Sequence, residues 1–335
     1  MLSVLPKLAD RSFILGFFLP TMLFALAALA LLSDLQNTQA LVNQVLARDY
    51  GTAAYAAFAV WVIAVALLTL NHPLYRLLEG YLFPRWLANA LKRRKAARLQ
   101  RQLDEIQLLY RRFKQEGDTF SDADRTRYEI LKKETVASMP SSAGEVLPTD
   151  FGNAIRAFEL YPRDVYGADG VYVWLRLTTV VPASIVANVE DARTQVDFLI
   201  NCCLFSVIVA ALALGRMAHA LYTQRILVTA WLLFAAGGLF AAWLFYRWAV
   251  TRVPAWGDWV RAAFDCYLPA LAKQIGHTLP DTDADRVEFW SSFSRQLVYG
   301  RYPDGEPAFK VEDWIKPSNG GGRGDGTEPQ GEGAA

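Results

Sequence analysis

Cysteine and histidine are scarce: three of each in 335 residues. Cys202 and Cys203 are adjacent within an apolar run and Cys266 lies far downstream, so no pair has the spacing of a metal knuckle or a redox loop. His72, His219 and His277 fall in three separate segments, which excludes a helical His-x-x-x-His ligand pair. There is no Gly-x-Ser-x-Gly elbow for a nucleophile and no glycine loop of the phosphate-cradling type. No metal and no cofactor are therefore expected.

Charge of one sign is lacking too. Lys plus Arg number 34 and Asp plus Glu 33, for a formal net charge of +1, and a near-neutral chain is not expected to bind nucleic acid. Four stretches hold almost no charge at all: Phe13 to Leu32, Thr52 to Leu70, Val196 to Leu214 and Val228 to Val250. Each is close to the roughly 20 residues a helix needs to cross a bilayer. Hydrocarbon cannot hydrogen-bond the backbone, so spanning helices explain such runs better than core helices of a soluble fold.

The expected fold class is an all-α integral membrane protein with four transmembrane helices and a cytoplasmic helical domain. Residues 1–71 make an N-terminal two-span hairpin, 72–195 a helical region with an interfacial segment, and 196–250 a second two-span hairpin. Residues 251–300 add a further helical segment, and the Gly-rich 301–335 has the composition of a disordered tail. The first stretch has a basic start at Lys7 and Arg11, as a signal peptide would, but its apolar core exceeds the usual 7 to 15 residues.

Lys and Arg set the expected orientation. Lys7 and Arg11 precede the first span, and Arg76, Arg85 and the run Lys92, Arg93, Arg94, Lys95, Arg98, Arg101 follow the second. These flanks belong inside, with both termini cytoplasmic in the cell's inner (plasma) membrane. Arg48 stands alone in the first outer loop, while Arg216 and Arg225 in the second run against the rule. Trp243, Tyr246 and Trp248, beside Arg247 and Arg252, suit an interfacial belt at the end of the fourth span.

From Arg85 to Glu116 the pattern is helical, with Leu99, Leu103, Ile106, Tyr110 and Phe113 forming one seam. After Gly117, Ser121 and the acidic Asp122 and Asp124 start a second helix carrying Tyr128, Leu131 and Thr135. The two read as an antiparallel hairpin, or as a coiled coil with a second copy or a protein partner. Lys92, Arg93, Arg94 and Lys95 are candidate contacts for anionic lipid headgroups, each worth about 1 kcal/mol near an anionic leaflet, or simply topology determinants.

The segment from Leu147 to Gly170 gathers polar groups of both signs. Thr149 is a good N-cap, Phe151, Ile155 and Phe158 share a face, and Pro162 is expected to end the helix near Leu160. Asn153, Arg156 and Glu159 are neighbours at steps of three, with Asp164 and Asp169 expected in turns beside Tyr166 and Gly167. The candidate ligand- or partner-binding set is Asp150, Asn153, Arg156, Glu159, Tyr166, Asp169 and Arg176. Structural hydrogen bonding is the alternative role for the same residues. Asp150-Phe151-Gly152 spells the kinase metal triplet without any other kinase element, and Arg323-Gly324-Asp325 falls in the Gly-rich tail; neither carries weight.

In its Pro-Thr, Gly-Asn, Arg-Ala, Tyr-Pro, Tyr-Gly, Asp and Trp-Leu-Arg-Leu elements, Leu147 to Leu177 resembles a family of uncharacterised bacterial four-span (multi-pass) membrane proteins. Arg261 to Gly300, with Phe264-Asp265 and Phe289-Trp290, is similar to the same family, so the likeness covers most of residues 71 to 300. Members often carry Pro where this chain has Leu175. The resemblance implies membrane residence and brings no activity with it.

Val171, Val173, Leu175 and Leu177 alternate with Tyr172, Trp174 and Arg176, which suits a segment lying in the membrane interface. Beyond Pro182 a single helix is expected to run through Glu190, Asp191 and Arg193 into the third span. Small residues four apart, Gly237 with Ala241 and Gly238 with Ala242, predict close helix packing, as do Ala53 and Ala57. Trp256 to Ile275 and a helix capped by Asp281 and Thr282 are expected to pack on the central block. The spans carry no ionisable residue in their middles, the usual mark of pumps and proton relays. The whole reads as a membrane-anchored interaction or sensing module. The alternatives are an oligomeric channel gated by its cytoplasmic helices and a membrane-associated enzyme using the polar set between Asp150 and Asp169.

Overall fold

The computed structural model describes residues 10–32, 50–222 and 228–300. The expected tail 301–335, most of the first loop, Lys7, Arg48, Arg225 and the Arg323-Gly324-Asp325 triplet lie outside these residues. Among the described residues the chain is all-helical, without strands.

Helix α1 joins Arg11–Phe13, a π-turn at Ile14–Phe18 and Leu19–Leu32; Asp10 caps it through a bond from Arg11 N–H at 3.2 Å. Helix α2 is Tyr50–Glu79 and stops at Gly80 (φ 90), where Tyr81 N–H returns to the Arg76 carbonyl at 3.0 Å. Helices α3 (Arg85–Glu116) and α4 (Asp122–Ser138) form the expected hairpin, broken at Gly117 and restarted by the Ser121 cap. Helices α5 (Asp150–Tyr166) and α6 (Gly170–Leu177) are short; α7 (Ala183–Tyr222) and α8 (Val228–Gln274) are long; α9 (Asp283–Tyr299) follows a Thr282 cap.

Four of these, α1, α2, α7 and α8, are long and apolar enough to cross a membrane, which supports a multi-pass membrane protein. No more than 33% of any of their apolar windows is buried within the chain. Phe58, Leu233 and Phe240 are exposed on the outer faces. Their own core is small: Phe13, Phe17, Ala64, Leu67 and Phe205, with Phe24 stacked on Phe205 at 4.4 Å. Helices α7 and α8 approach closely at Gly238, where a Cβ would stand 3.0 Å from the Ser206 carbonyl and from Ala210. Of the small-residue pairs expected to pack closely, Gly238 and Ala242 are turned inward, whereas Gly237 faces open space, Ala57 is exposed and the side chain of Ala53 lies outside the described residues.

The larger core sits at the other end of α7 and α8. Phe151, Phe158, Val173, Leu177, Val189, Val253, Phe264 and Trp290 bring α5, α6, α7, α8 and α9 together, so the central and C-terminal segments do pack on each other. Helix α7 runs from this core into the apolar bundle without a break, as expected.

Several boundaries differ from the expectation. Pro162 does not end α5: the helix continues to Tyr166 and closes on Gly167 in the left-handed region (φ 75), whose N–H reaches the Arg163 carbonyl at 2.9 Å. Pro162 is buried, and core packing offsets its missing N–H. Asp164 is therefore helical. Residues 171–177 form α6, in which Val173 and Leu177 point inward at helical spacing while Val171 and Leu175 are exposed; apparent alternation concealed a period of four. Trp256 to Ile275 is not a separate helix but the continuation of α8 through Pro254. Within the expected aromatic belt, Trp243 and Trp248 are exposed, but Tyr246 turns inward and accepts the Phe151 N–H at 3.4 Å. In the hairpin seam Leu99 is buried, while Tyr110 and Phe113 stay on the surface and Leu109 takes the inner position.

Candidate functional site

The polar set of the central segment is dispersed rather than gathered. Asp150, in the first turn of α5, pairs with Lys95 of α3 at 2.5 Å, which turns one of the four candidate lipid-binding cations inward and leaves Lys92, Arg93 and Arg94 on the exposed face. Asn153 is fully buried and clamps one residue, accepting Leu147 N–H at 2.6 Å and donating to the Leu147 carbonyl at 3.0 Å. Tyr166 and Tyr161 donate to the same oxygen of Asp265 on α8, at 2.8 and 2.9 Å. Burial first, and those bonds next, push both phenols up. Arg176 Nη1 donates to the Tyr172 carbonyl on its own helix.

Three of the set stay together. Arg156 and Glu159 pair across one turn of α5 at 3.6 Å. Asp169 caps α6 by accepting the N–H groups of Val171 and Tyr172 at 3.0 and 3.1 Å, and its charge acts on Glu159. Burial pushes the Glu159 carboxyl above its ordinary value, and Arg156 beside it pulls the other way. Glycine makes this proximity possible: a Cβ at Gly170 would collide with the Glu159 carbonyl, so α6 starts directly on α5.

Glu159 lines a cavity of about 300 Å³ where α5, α6, α7 and α8 meet. Trp174, Trp256 and Phe264 supply aromatic walls, and Glu190 and Arg193 reach it from α7. Trp256 Nε1 is buried without a hydrogen-bond partner among the described residues. The Arg193 guanidinium lies over the Trp256 ring, 6.0 Å from its centroid. An apolar cavity with a few convergent polar groups is the usual form of a ligand site.

Arg193 also faces the other way. Its Nε is 3.9 Å from Asp197, one turn further along α7, and Asp197 is only 5% exposed. Tyr75 Oη and Asn71 Nδ2 of α2 donate to Asp197 Oδ1 at 2.7 and 3.1 Å. One turn beyond, the buried Asn201 Nδ2 donates to the Gly16 carbonyl at 2.8 Å, inside the π-turn of α1. Such turns recur at functional positions. This polar node escaped the sequence reading, which considered only the middles of the spans. A signal was present: Asn71 and Tyr75 at the end of one apolar run, and Asp197 and Asn201 at the start of the next, share a spacing of four.

Among the described residues no group of three His, Cys, Asp or Glu is arranged to hold a metal ion. The arrangement can bind an amphiphilic ligand in the cavity and exchange charge partners at Arg193. Comparison with family models, with curated proteins and with solved structures finds no match to this chain.

Proposed function

We propose that this chain is a multi-pass membrane protein that acts as a sensing and interaction module, its apolar bundle in the bilayer and its polar block in the cytoplasm. The exposed apolar faces of the four long helices support the placement, since patches of that size need a covering. The basic flanks at Arg11, Arg76, Arg85 and the exposed Lys92, Arg93 and Arg94 support the orientation, with both ends inside. The exposed apolar residues Leu108, Ile130 and Val136 make the α3–α4 hairpin the output surface for a protein partner or a second copy.

One observation carries the sensing role: Arg193 is shared between the cavity and the buried Asp197 node. A ligand that draws the guanidinium toward Trp256 weakens its pairing with Asp197. A buried carboxylate that loses a partner is unfavourable, so the contact of α2 with α7 must readjust. Because α2, α7 and α8 run unbroken toward the polar block, the readjustment reaches α3 to α6. Hydrogen exchange in lipid nanodiscs, comparing wild type with Asp197→Asn, tests this. The expected result is altered protection not only beside the substitution but also in α3 and α5. Thr21→Val is the control, a buried group whose hydroxyl donates to the Phe17 carbonyl of its own helix. Changes confined to residues touching position 197 would leave an anchor and no sensor.

A further inference from the structure

Two depressions on the bundle lie end to end. The first, about 400 Å³, is bounded by Arg11 and Leu19 of α1, Asp191 and Phe198 of α7, and Arg252 of α8. The second, about 600 Å³, is bounded by Phe24 of α1, Phe205 and Val209 of α7, and Gly237 and Phe245 of α8. On α7 the lining residues Gln195, Phe198, Cys202, Phe205 and Val209 follow one another at steps of three and four. They make one face of one helix, so the two depressions succeed one another along it, and we infer that they act as a single groove. From Arg252 to Gly237 the groove runs about 22 Å along α8, enough for one leaflet with its headgroup layer.

The chemistry changes along its length. The deep part is apolar except for Ser206, whose hydroxyl is taken by the Cys202 carbonyl at 2.7 Å. The shallow part holds two guanidinium groups and one carboxylate, and the Arg11–Asp191 pair at 3.6 Å neutralises one charge while Arg252 adds a positive one. A cationic mouth at headgroup depth above an apolar track matches a molecule with an anionic head and a hydrocarbon chain.

We propose that this groove is a binding site for an anionic phospholipid, with its phosphate at Arg252 and Arg11 and one acyl chain laid along the deep part. The site rests on the membrane placement proposed above. Guanidinium suits phosphate because its paired N–H groups match two oxygens. A soluble phosphate would leave the apolar track uncovered, and a zwitterionic lipid would bring a second cation to a mouth that is already positive. The basic run on α3 is a separate surface and contributes nothing to this pocket.

The full chain is placed in nanodiscs made of equal parts phosphatidylcholine and phosphatidylglycerol, released, and its retained lipids counted by native mass spectrometry. Wild type retains phosphatidylglycerol in preference. Arg252→Gln lowers that preference about fivefold, the factor one basic residue is worth at an anionic surface. Gly237→Leu provides an independent arm. A Cβ at Gly237 meets nothing within 4 Å, so the backbone tolerates a side chain there, and a leucine that narrows the track displaces the lipid with both arginines intact; an unchanged thermal midpoint of the variant shows that the fold is kept. Replacing Lys92, Arg93 and Arg94 by Gln leaves the ratio unchanged. Equal retention of the two lipids by wild type overturns the site, as does a loss that follows the α3 substitutions instead of Arg252. A chain that does not enter the disc overturns the membrane placement and the site with it. One that enters and shows no preference overturns the site alone.

Discussion

Helices α5 and α3 both lie outside the apolar bundle, and they are held in opposite ways. On α5, Phe151, Ala154, Ile155 and Phe158 are buried in the large core, and Asn153 is sealed against the Leu147 backbone. Among its described residues the α3–α4 hairpin buries only Leu99, Leu109, Phe120 and Thr135 along its two helices and their turn, and is closed by surface pairs such as Arg112 with Asp124 and Arg127 with Glu105. Packing that excludes water makes an element rigid, whereas exposed ion pairs make and break at little cost. The difference separates a part that transmits strain from a part that is free to meet a partner.

The strongest way to break that contrast is Phe151→Ala. The ring is fully buried and lies 5.5 Å from Tyr75, edge to face. Its removal should destabilise by about 3–5 kcal/mol, read as a large fall in the thermal midpoint of the detergent-solubilised chain. A small fall would mean that α5 is no better anchored than the hairpin. Arg127→Ala tests the opposite side: the guanidinium is mostly exposed and Glu105 half-buried, so the loss should stay below about 1 kcal/mol, with faster hydrogen exchange confined to α3 and α4. A global effect would show the hairpin to be part of the core.

Glu159 offers the finest distinction, because it is partly buried at the edge of the rigid part. Burial raises its carboxyl, so the folded state holds a proton that the unfolded state has already released, and stability falls as pH rises from the ordinary glutamate range through the raised value. Glu159→Gln removes that loss. Thermal midpoints measured from about pH 4 to about pH 8 should show wild type losing ground to the variant as pH rises. The reverse trend would mean that the Arg156 pair outweighs burial.

Local rules carried the sequence reading a long way. Arg85 to Glu116 was legible as one helix from its periodicity, Thr149, Ser121 and Thr282 as caps from their hydroxyls, and the passage of one helix through Glu190 and Arg193 from its continuing apolar face. What escaped depended on tertiary context. Pro162 and Pro254 look like breakers in isolation and are carried through by the packing of α5 and α8. Asp197 meets Tyr75 at a sequence separation of 122; the spacing of four marks a polar face on each helix, and only the fold brings the two faces together. Of the candidate site, Glu159 was foreseen, but its company of Glu190, Arg193 and Trp256 was not, since those residues arrive from two other helices.

The length of α8 has a mechanical consequence. The part from Thr251 to Gln274 extends about 36 Å beyond the apolar run. In the proposed setting it is the arm of a lever whose fulcrum lies in the lipid, and through Val253, Phe264 and Leu268 it carries the large core with it. Helix tilt adjusts to hydrocarbon thickness, and a change of about 5° at the fulcrum carries the far tip through about 3 Å. Bilayer thickness itself, with no ligand bound, would then be legible at the tip of this arm.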